Sequence, residues 1–284
     1  MSEAQARKYL ADAQTKEKYK GWFGGDKLDE AYELYNQAGN SFKLAKCWKE
    51  AGESFKSAAR VSTSLGEQND AATQYVNAAK AYKKDYPQDA IDCLKLAVSI
   101  LTERGRFHSA AIQQKEIAQL YETELNNLNE AMASYELAAE WYSSEDSNAI
   151  ANSCLLKVAE FAAQLEQYDK AIKIFEQVAN DSVNNPLAKW SVKEYLLKAG
   201  LCHLCVGDSV STLRALENYD ELDLSFSQTR ERKLLRNLYE AVEQEDIEGF
   251  TNHVFEFDQL TKLDNWKTSL MLRIKKSIGD ESLT

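Results

Sequence analysis

The sequence predicts an all-α protein: a solenoid of antiparallel helix hairpins closed by a C-terminal helical bundle. Three observations carry this. Glycine and proline are scarce, 11 and 2 in 284 residues, so turns are few and helices long. Alanine recurs at a steady interval of about twenty residues, at Ala31, Ala51, Ala71, Ala90, Ala110, Ala131, Ala151 and Ala171. Each alanine opens a phrase in which a large residue follows four positions on and a small or branched one three further. Spacings of four and seven put all three on one helical face.

The elements follow in order. A first helix runs from about Ala4 to Tyr19, and the loop GWFGG (Gly21–Gly25) separates it from a second helix starting at Leu28. The phrases are then Ala31–Tyr35–Ala38, Ala51–Phe55–Ala58, Ala71–Tyr75–Ala78, Ala90–Leu94–Ala97, Ala131–Tyr135–Ala138, Ala151–Leu155–Val158 and Ala171–Phe175–Val178. Ala110 is the weak copy, with Gln114 at the large position. Small residues let neighbouring helices approach, and large ones fill the groove between them. Two such helices make a unit of roughly 40 residues, longer than a tetratricopeptide repeat but built on the same stacking. Breakers fall between phrases at Gly66, Gly105, Asn126 to Asn129, Ser143 to Ser147 and Asn180 to Pro186. Pro87 and Pro186 each suit a first helical turn.

After about Asp220 the alanine phrase ends. Three helical stretches follow, near Arg230 to Gln244, Glu245 to Leu263 and Asn265 to Ile278. The expected organisation is therefore a solenoid over 1–220 and a compact bundle over 221–284 that covers its open end.

Composition narrows the function. Hydrophobic content of 44% supports a large core. No run of 18 apolar residues is present, and the N-terminus lacks an apolar signal core, so a cytoplasmic protein is expected. The five cysteines then read as reduced core thiols. A net charge of −11 argues against nucleic-acid partners. From Glu217 onward 15 acidic residues stand against 9 basic ones, an acidic end suited to a basic partner.

No catalytic constellation stands out: there is no glycine-rich phosphate loop, no GxGxxG and no HExxH. His108, His203 and His253 are far apart in sequence, and the CxxC of Cys202 and Cys205 has no second ligand pair. A structural zinc site needs about four ligands. A non-enzymatic protein without cofactor or metal is expected, since helical solenoids usually bind other proteins along a curved face.

Longer strings add a resemblance. AGNSFKLAKCWKEAGESF, YKKDYPQDAIDCL, ERGRFHSAA, LYETEL, SYELAAEWY, NSCLLKVAEFAAQLEQYDKAI, LKAGLCHLC and LDNWKTSLMLRIKKSI, in this order over nearly the whole chain, resemble the soluble NSF attachment proteins (SNAPs), in their alpha/beta, Sec17-like branch. The resemblance implies a right-handed, TPR-like solenoid. It implies an adaptor that coats the SNARE four-helix bundle of syntaxin-type, synaptobrevin-type and SNAP-25-type chains. That adaptor recruits and stimulates the hexameric NSF/Sec18-type ATPase, which takes the bundle apart.

The resemblance also assigns residues. The SNARE contacts fall on Lys46, Lys83, Lys84, Arg106, Lys157, Lys193 and Arg230. Two family lysines are replaced, by Ile112 and Ser153. The ATPase-facing set is Glu240, Glu243, Glu245 and Asp246, joined by the tail residues Asp280, Glu281 and the penultimate Leu283. Trp22 and Phe23, in the loop at 19–27, fall where the family has a membrane-touching tip, so weak peripheral membrane contact is implied. Two aromatics at ~1.5–3 kcal/mol each give only reversible contact. The runner-up reading is a TPR-type co-chaperone or scaffold that clamps peptide tails.

Overall fold

The computed structural model describes residues 3–19 and 25–281, with side chains described in the second stretch for 27–278. Fourteen α-helices and two short 3-10 turns, and no strands, make up the described residues. The chain divides into two compact units, Met1–Cys154 and Leu155–Thr284, with the division falling inside the eighth helix.

The first unit holds α1 (Glu3–Lys18), α2 (Gly25–Leu44), α3 (Trp48–Leu65), α4 (Gln68–Tyr82), α5 (Pro87–Glu103), α6 (Phe107–Thr123), α7 (Leu128–Ser144) and the start of α8 (Asn148–Gln164). From α1 to α7 each helix packs on the next. The eight phrase alanines occupy one helix each, from α2 to α9 (Tyr168–Val183), and every one of them is buried. Their large partners Tyr35, Phe55, Tyr75, Leu94, Tyr135 and Phe175 are buried too, while Leu155 and, in the weak copy, Gln114 are only half-buried. α1 joins the same pattern: Ala6 and Ala13, seven residues apart, pack against Ala38, Phe42, Ala31 and Tyr35. Close approach is enforced where glycine follows the alanine. A Cβ on Gly52 would fall inside the van der Waals surface of the Tyr82 ring.

One turn closes most hairpins. A residue in the left-handed region is followed directly by the N-cap of the next helix. Gly66, Gly105 and Gly207 fill that position, but so do Lys46, Asn126, Asp146, Glu166 and Glu245, with φ between 50° and 61°. The N-cap amide then reaches back to the preceding helix, as in Cys47 N–H to Phe42 O (2.9 Å), Glu67 to Ser62 (2.9 Å), Arg106 to Leu101 (2.8 Å) and Gln167 to Ala162 (2.8 Å). This is the Schellman arrangement, which satisfies carbonyls left over at a helix end.

The second unit holds the rest of α8, then α9, α10 (Val192–Val206), α11 (Ser209–Leu222), α12 (Arg230–Glu243), α13 (Ile247–Leu260) and α14 (Asn265–Glu281). The three C-terminal helices lie close to where the apolar spacing puts them. α14 caps the end of α8 from a distance in sequence. The Trp266 indole N–H donates to Glu160 O (2.9 Å), and the Arg273 guanidinium donates to Ala163 O (3.0 Å) and Gln164 O (2.9 Å). Cationic donors suit the negative end of a helix. Trp266 also meets Phe175 edge-on at 5.8 Å, with the Lys198 ammonium 5.5 Å from its ring. Lys267 is buried between Glu194 (2.6 Å) and Asp264 (2.8 Å). Burial alone would lower its pKa, but bonds to the two carboxylates raise it.

Two expectations need correction. α2 starts at Gly25, not Leu28. Pro87 does open α5, but Pro186 opens no helix. α9 runs through Asn180 to Val183 because Val178, Ala179 and Ser182 are buried and continue its inner face. The Asn185 side chain then accepts from Leu187 N–H (3.0 Å), an Asx turn that takes Pro186 into a loop. A 3-10 turn, Lys189–Ser191, follows before α10 begins.

Candidate adaptor surfaces

In the first unit, the four basic positions expected to contact SNAREs are all exposed and all sit on hairpin turns. Lys46 is the left-handed residue between α2 and α3. Lys83 and Lys84 follow α4, and Lys83 pairs with Glu116 of α6. Arg106 is the N-cap of α6 and donates to Asn69 Oδ1 (3.4 Å) in the first turn of α4. α5 separates Lys84 from Arg106. At 1.5 Å per residue its 17 residues put these charges about 25 Å apart. The structure therefore brings Lys83 and Lys84 together and leaves Arg106 at the other end of its helix. Ile112 on α6 is 46% exposed, and Ser153 on α8 is exposed as well.

In the second unit, Lys157 lies on α8 with its ammonium 5.7 Å from the Phe161 ring centre. Lys193 and Arg230 lie in the first turns of α10 and α12, and Lys193 Nζ pairs at 3.0 Å with Glu231, the buried carboxylate next to Arg230 in sequence. Beside Lys193 the 184–191 segment exposes Leu187 at 93% and Trp190 at 75%, with Lys189 5.2 Å from the Trp190 ring centre. Sequence reasoning missed this apolar patch because it read Pro186 as a helix start. The signal available was two large apolar residues in the string Asn-Asn-Pro-Leu-Ala-Lys-Trp, directly after a run of turn-forming Asn and Pro.

The acidic positions converge. Glu240 and Glu243 end α12, Glu245 is the left-handed turn residue, and Asp246 N-caps α13 by accepting from Gly249 N–H (2.8 Å). All four are exposed at one turn. Glu240 is shared with Arg236 (2.8 Å), and Glu243 accepts from Ser209. The backbone of Asp280 and Glu281 completes α14, but their side chains lie outside the described residues, as do Leu283, Trp22 and Phe23 altogether.

The remaining polar clusters bind the fold. Cys202 is wholly buried, and the Cys205 thiol faces Leu270 O at 3.9 Å. Burial pushes both thiols up, Cys205 to about 12, away from the thiolate a metal would need. Among the described residues no group of three potential metal ligands comes together. Glu176 of α9 accepts from the Tyr219 hydroxyl (2.6 Å) of α11 and faces His203 Nε2 (3.2 Å) of α10. Burial works against its charge, but the His203 and Tyr219 hydrogen bonds outweigh it and hold its pKa below the ordinary value. No described helix is long and apolar enough to cross a membrane.

Comparison with known proteins gives the fold and the family. A solved STAND protein with a tetratricopeptide repeat sensor, from Pyrococcus horikoshii, superposes with a TM-score of 0.52 at 12% identity, covering 97% of this chain and 44% of that one, a likeness of fold. Beta-soluble NSF attachment protein of Bos taurus is 47% identical over 98% of this chain and 95% of its own length. Alpha-soluble NSF attachment protein of Homo sapiens is 47% identical, over 98% and 97%. The probable vesicular-fusion protein sec17 homolog of Schizosaccharomyces pombe is 45% identical, over 90% and 89%. The family described as soluble NSF attachment protein, SNAP, matches residues 4–279. This chain belongs to the SNAP family.

Proposed function

We propose that this protein is an adaptor of vesicle traffic: it binds assembled SNARE bundles, recruits an NSF/Sec18-type hexameric ATPase and stimulates it to disassemble them. The observation that carries the reading is identity of 47%, over 98% of the chain, to proteins named for NSF attachment. The division of charge supports it. Basic side chains sit on exposed turns, at helix starts and, for Lys157, midway along α8, and four carboxylates gather at the α12–α13 turn, so two partners of opposite charge meet different surfaces.

In this reading Lys46, Lys83, Lys84, Arg106, Lys157, Lys193 and Arg230 meet the acidic bundle, and the exposed Leu187 and Trp190 add apolar contact beside Lys193. Single exposed pairs are worth only ~0.2–1 kcal/mol, so affinity comes from their number and from several adaptors on one bundle. The α12–α13 turn and the tail residues Asp280, Glu281 and Leu283 face the ATPase. Trp22 and Phe23 touch lipid, aided by ~1 kcal/mol from each nearby lysine, which makes the cytoplasmic protein peripheral on membranes. The segment after Asp220 acts as the ATPase-facing bundle. The adaptor itself hydrolyses nothing.

A reconstituted disassembly assay tests this, with SNARE bundle, ATPase and this protein. Lys157→Glu/Lys193→Glu should weaken bundle binding. Leu283→Ala should assemble the ternary complex yet fail to disassemble it. Trp22→Ser/Phe23→Ser should slow disassembly of membrane-anchored bundles only. Wild-type behaviour of the first two variants would overturn the reading.

A further inference from the structure

The start of α12 carries a groove of which the adaptor reading uses only Arg230. The groove, of about 430 Å³, is lined by Asp220, Ser227, Gln228, Thr229, Arg230, Arg232, Lys233 and Arg236. Four cations thus face one carboxylate in a chain whose net charge is −11. We propose that this groove binds a compact polyphosphate of the inositol phosphate class, as a free molecule or as a lipid headgroup.

Arg230, Lys233 and Arg236 stand three residues apart, which places them along one side of the helix. Like charges at that spacing repel and destabilise an isolated helix, so local stability does not account for them. Asp220 neutralises only Arg232, and holds it in a two-pronged pair (2.9 and 2.8 Å) that fixes its guanidinium in the wall. Arg236 shares its charge with exposed Glu240, which lies outside the groove. Among the described residues no carboxylate lies within the 4.0 Å of an ion pair from Arg230 or Lys233. Guanidinium groups match phosphate oxygens in pairs, and several on a concave wall favour adjacent phosphates over one carboxylate. The volume falls in the range of small-ligand sites, about 300–1,000 Å³.

The inference shares Arg230 with the adaptor reading but does not rest on it, because the test contains no SNARE bundle. The full chain is titrated with inositol trisphosphate by isothermal calorimetry. It is compared with Lys233→Gln/Arg236→Gln and with Lys275→Gln/Lys276→Gln, which removes the same charge from α14. One site per chain is expected, weakened about tenfold or more by the groove changes and changed less than about twofold by the α14 changes. Flotation with phosphatidylcholine vesicles, with and without phosphatidylinositol bisphosphate, separates the sources. Capture only by the phosphorylated lipid assigns a headgroup, and no capture alongside calorimetric binding assigns the free molecule. Absence of calorimetric binding, or equal weakening by both pairs of changes, would overturn the proposal. Unchanged thermal unfolding of the variants rules out loss of fold as the cause.

Discussion

Glu231 holds the ammonium of Lys193 at 3.0 Å, and only one of the two is in water: the carboxylate is buried and the lysine half exposed. The pair joins the start of α10 to the start of α12 and offsets one of the charges proposed to meet a SNARE bundle. Removing the buried member of such a pair loses stability but leaves an exposed cation that water still solvates. Glu231→Gln should therefore cost about 1–3 kcal/mol in denaturant unfolding. It should also tighten bundle binding at low salt, with the gain shrinking as salt rises. Weaker binding at low salt would show that the pair serves to aim Lys193.

The glycine in the α3 phrase tests the packing rule. Gly52→Ala drives a methyl into the Tyr82 ring and should cost about 1–3 kcal/mol. Pairing it with Tyr82→Leu should recover part of the loss, read as a coupling energy in a double-mutant cycle. Strict additivity of the two changes would sink this account of the helix contact.

Lys46 separates stability from binding. Its φ of 59° is a conformation that an L-residue adopts at a cost and glycine adopts freely. Lys46→Gly should raise stability by about 1 kcal/mol while lowering affinity for the bundle. Glu166→Gly, at the same place in another turn, should give the stability gain without the loss of binding.

Acid should loosen the α9–α10–α11 tie. The folded pKa of Glu176 lies below its ordinary 4.5, so its contribution is complete above that value and is lost as pH falls through the lower folded one. Unfolding free energy measured between about pH 6 and pH 3 should fall, and Glu176→Gln should flatten part of that slope. An equal slope in the variant would place the acid sensitivity elsewhere.

Ile112 and Ser153 stand where two family lysines are expected, and both are exposed, so lysine fits at either position without repacking. Ile112→Lys and Ser153→Lys should each strengthen bundle binding by about 0.2–1 kcal/mol at low salt and leave the melting temperature unchanged. No gain from either would mean the remaining basic residues already saturate the contact.

The helices were legible because alanine at intervals of about twenty has few other uses: each phrase alanine had to be buried for its helix to approach the next. The hairpin turns were legible where glycine or a run of small polar residues marked them, at Gly66, Gly105, Asn126 to Asn129 and Ser143 to Ser147, and not at Lys46, Glu166 or Glu245. Those last three adopt the same left-handed backbone, held by main-chain bonds that no side chain announces. Pro186 misled because a local Asx bond from Asn185 outweighed the preference of proline for a first turn. Of the adaptor surfaces, the acidic turn could be read from Glu240 to Asp246 because those residues are neighbours in sequence. The Lys193–Glu231 pair could not, since it joins two helices with another between them.

The carbonyls that end α8 wait for donors 106 to 110 residues downstream, on Trp266 and Arg273. A ribosome adding about 5–20 residues per second needs roughly 5–20 s to supply them. During that interval the second unit lacks its last helix, and Phe175 and Glu160 stay uncovered. A truncated product that stops before Asn265 would therefore persist as a half-finished domain open to chaperones and proteases. The helix that leads into the tail proposed to drive the ATPase is also the one that completes this unit, so premature termination should yield degraded chains rather than adaptors that bind cargo and cannot release it.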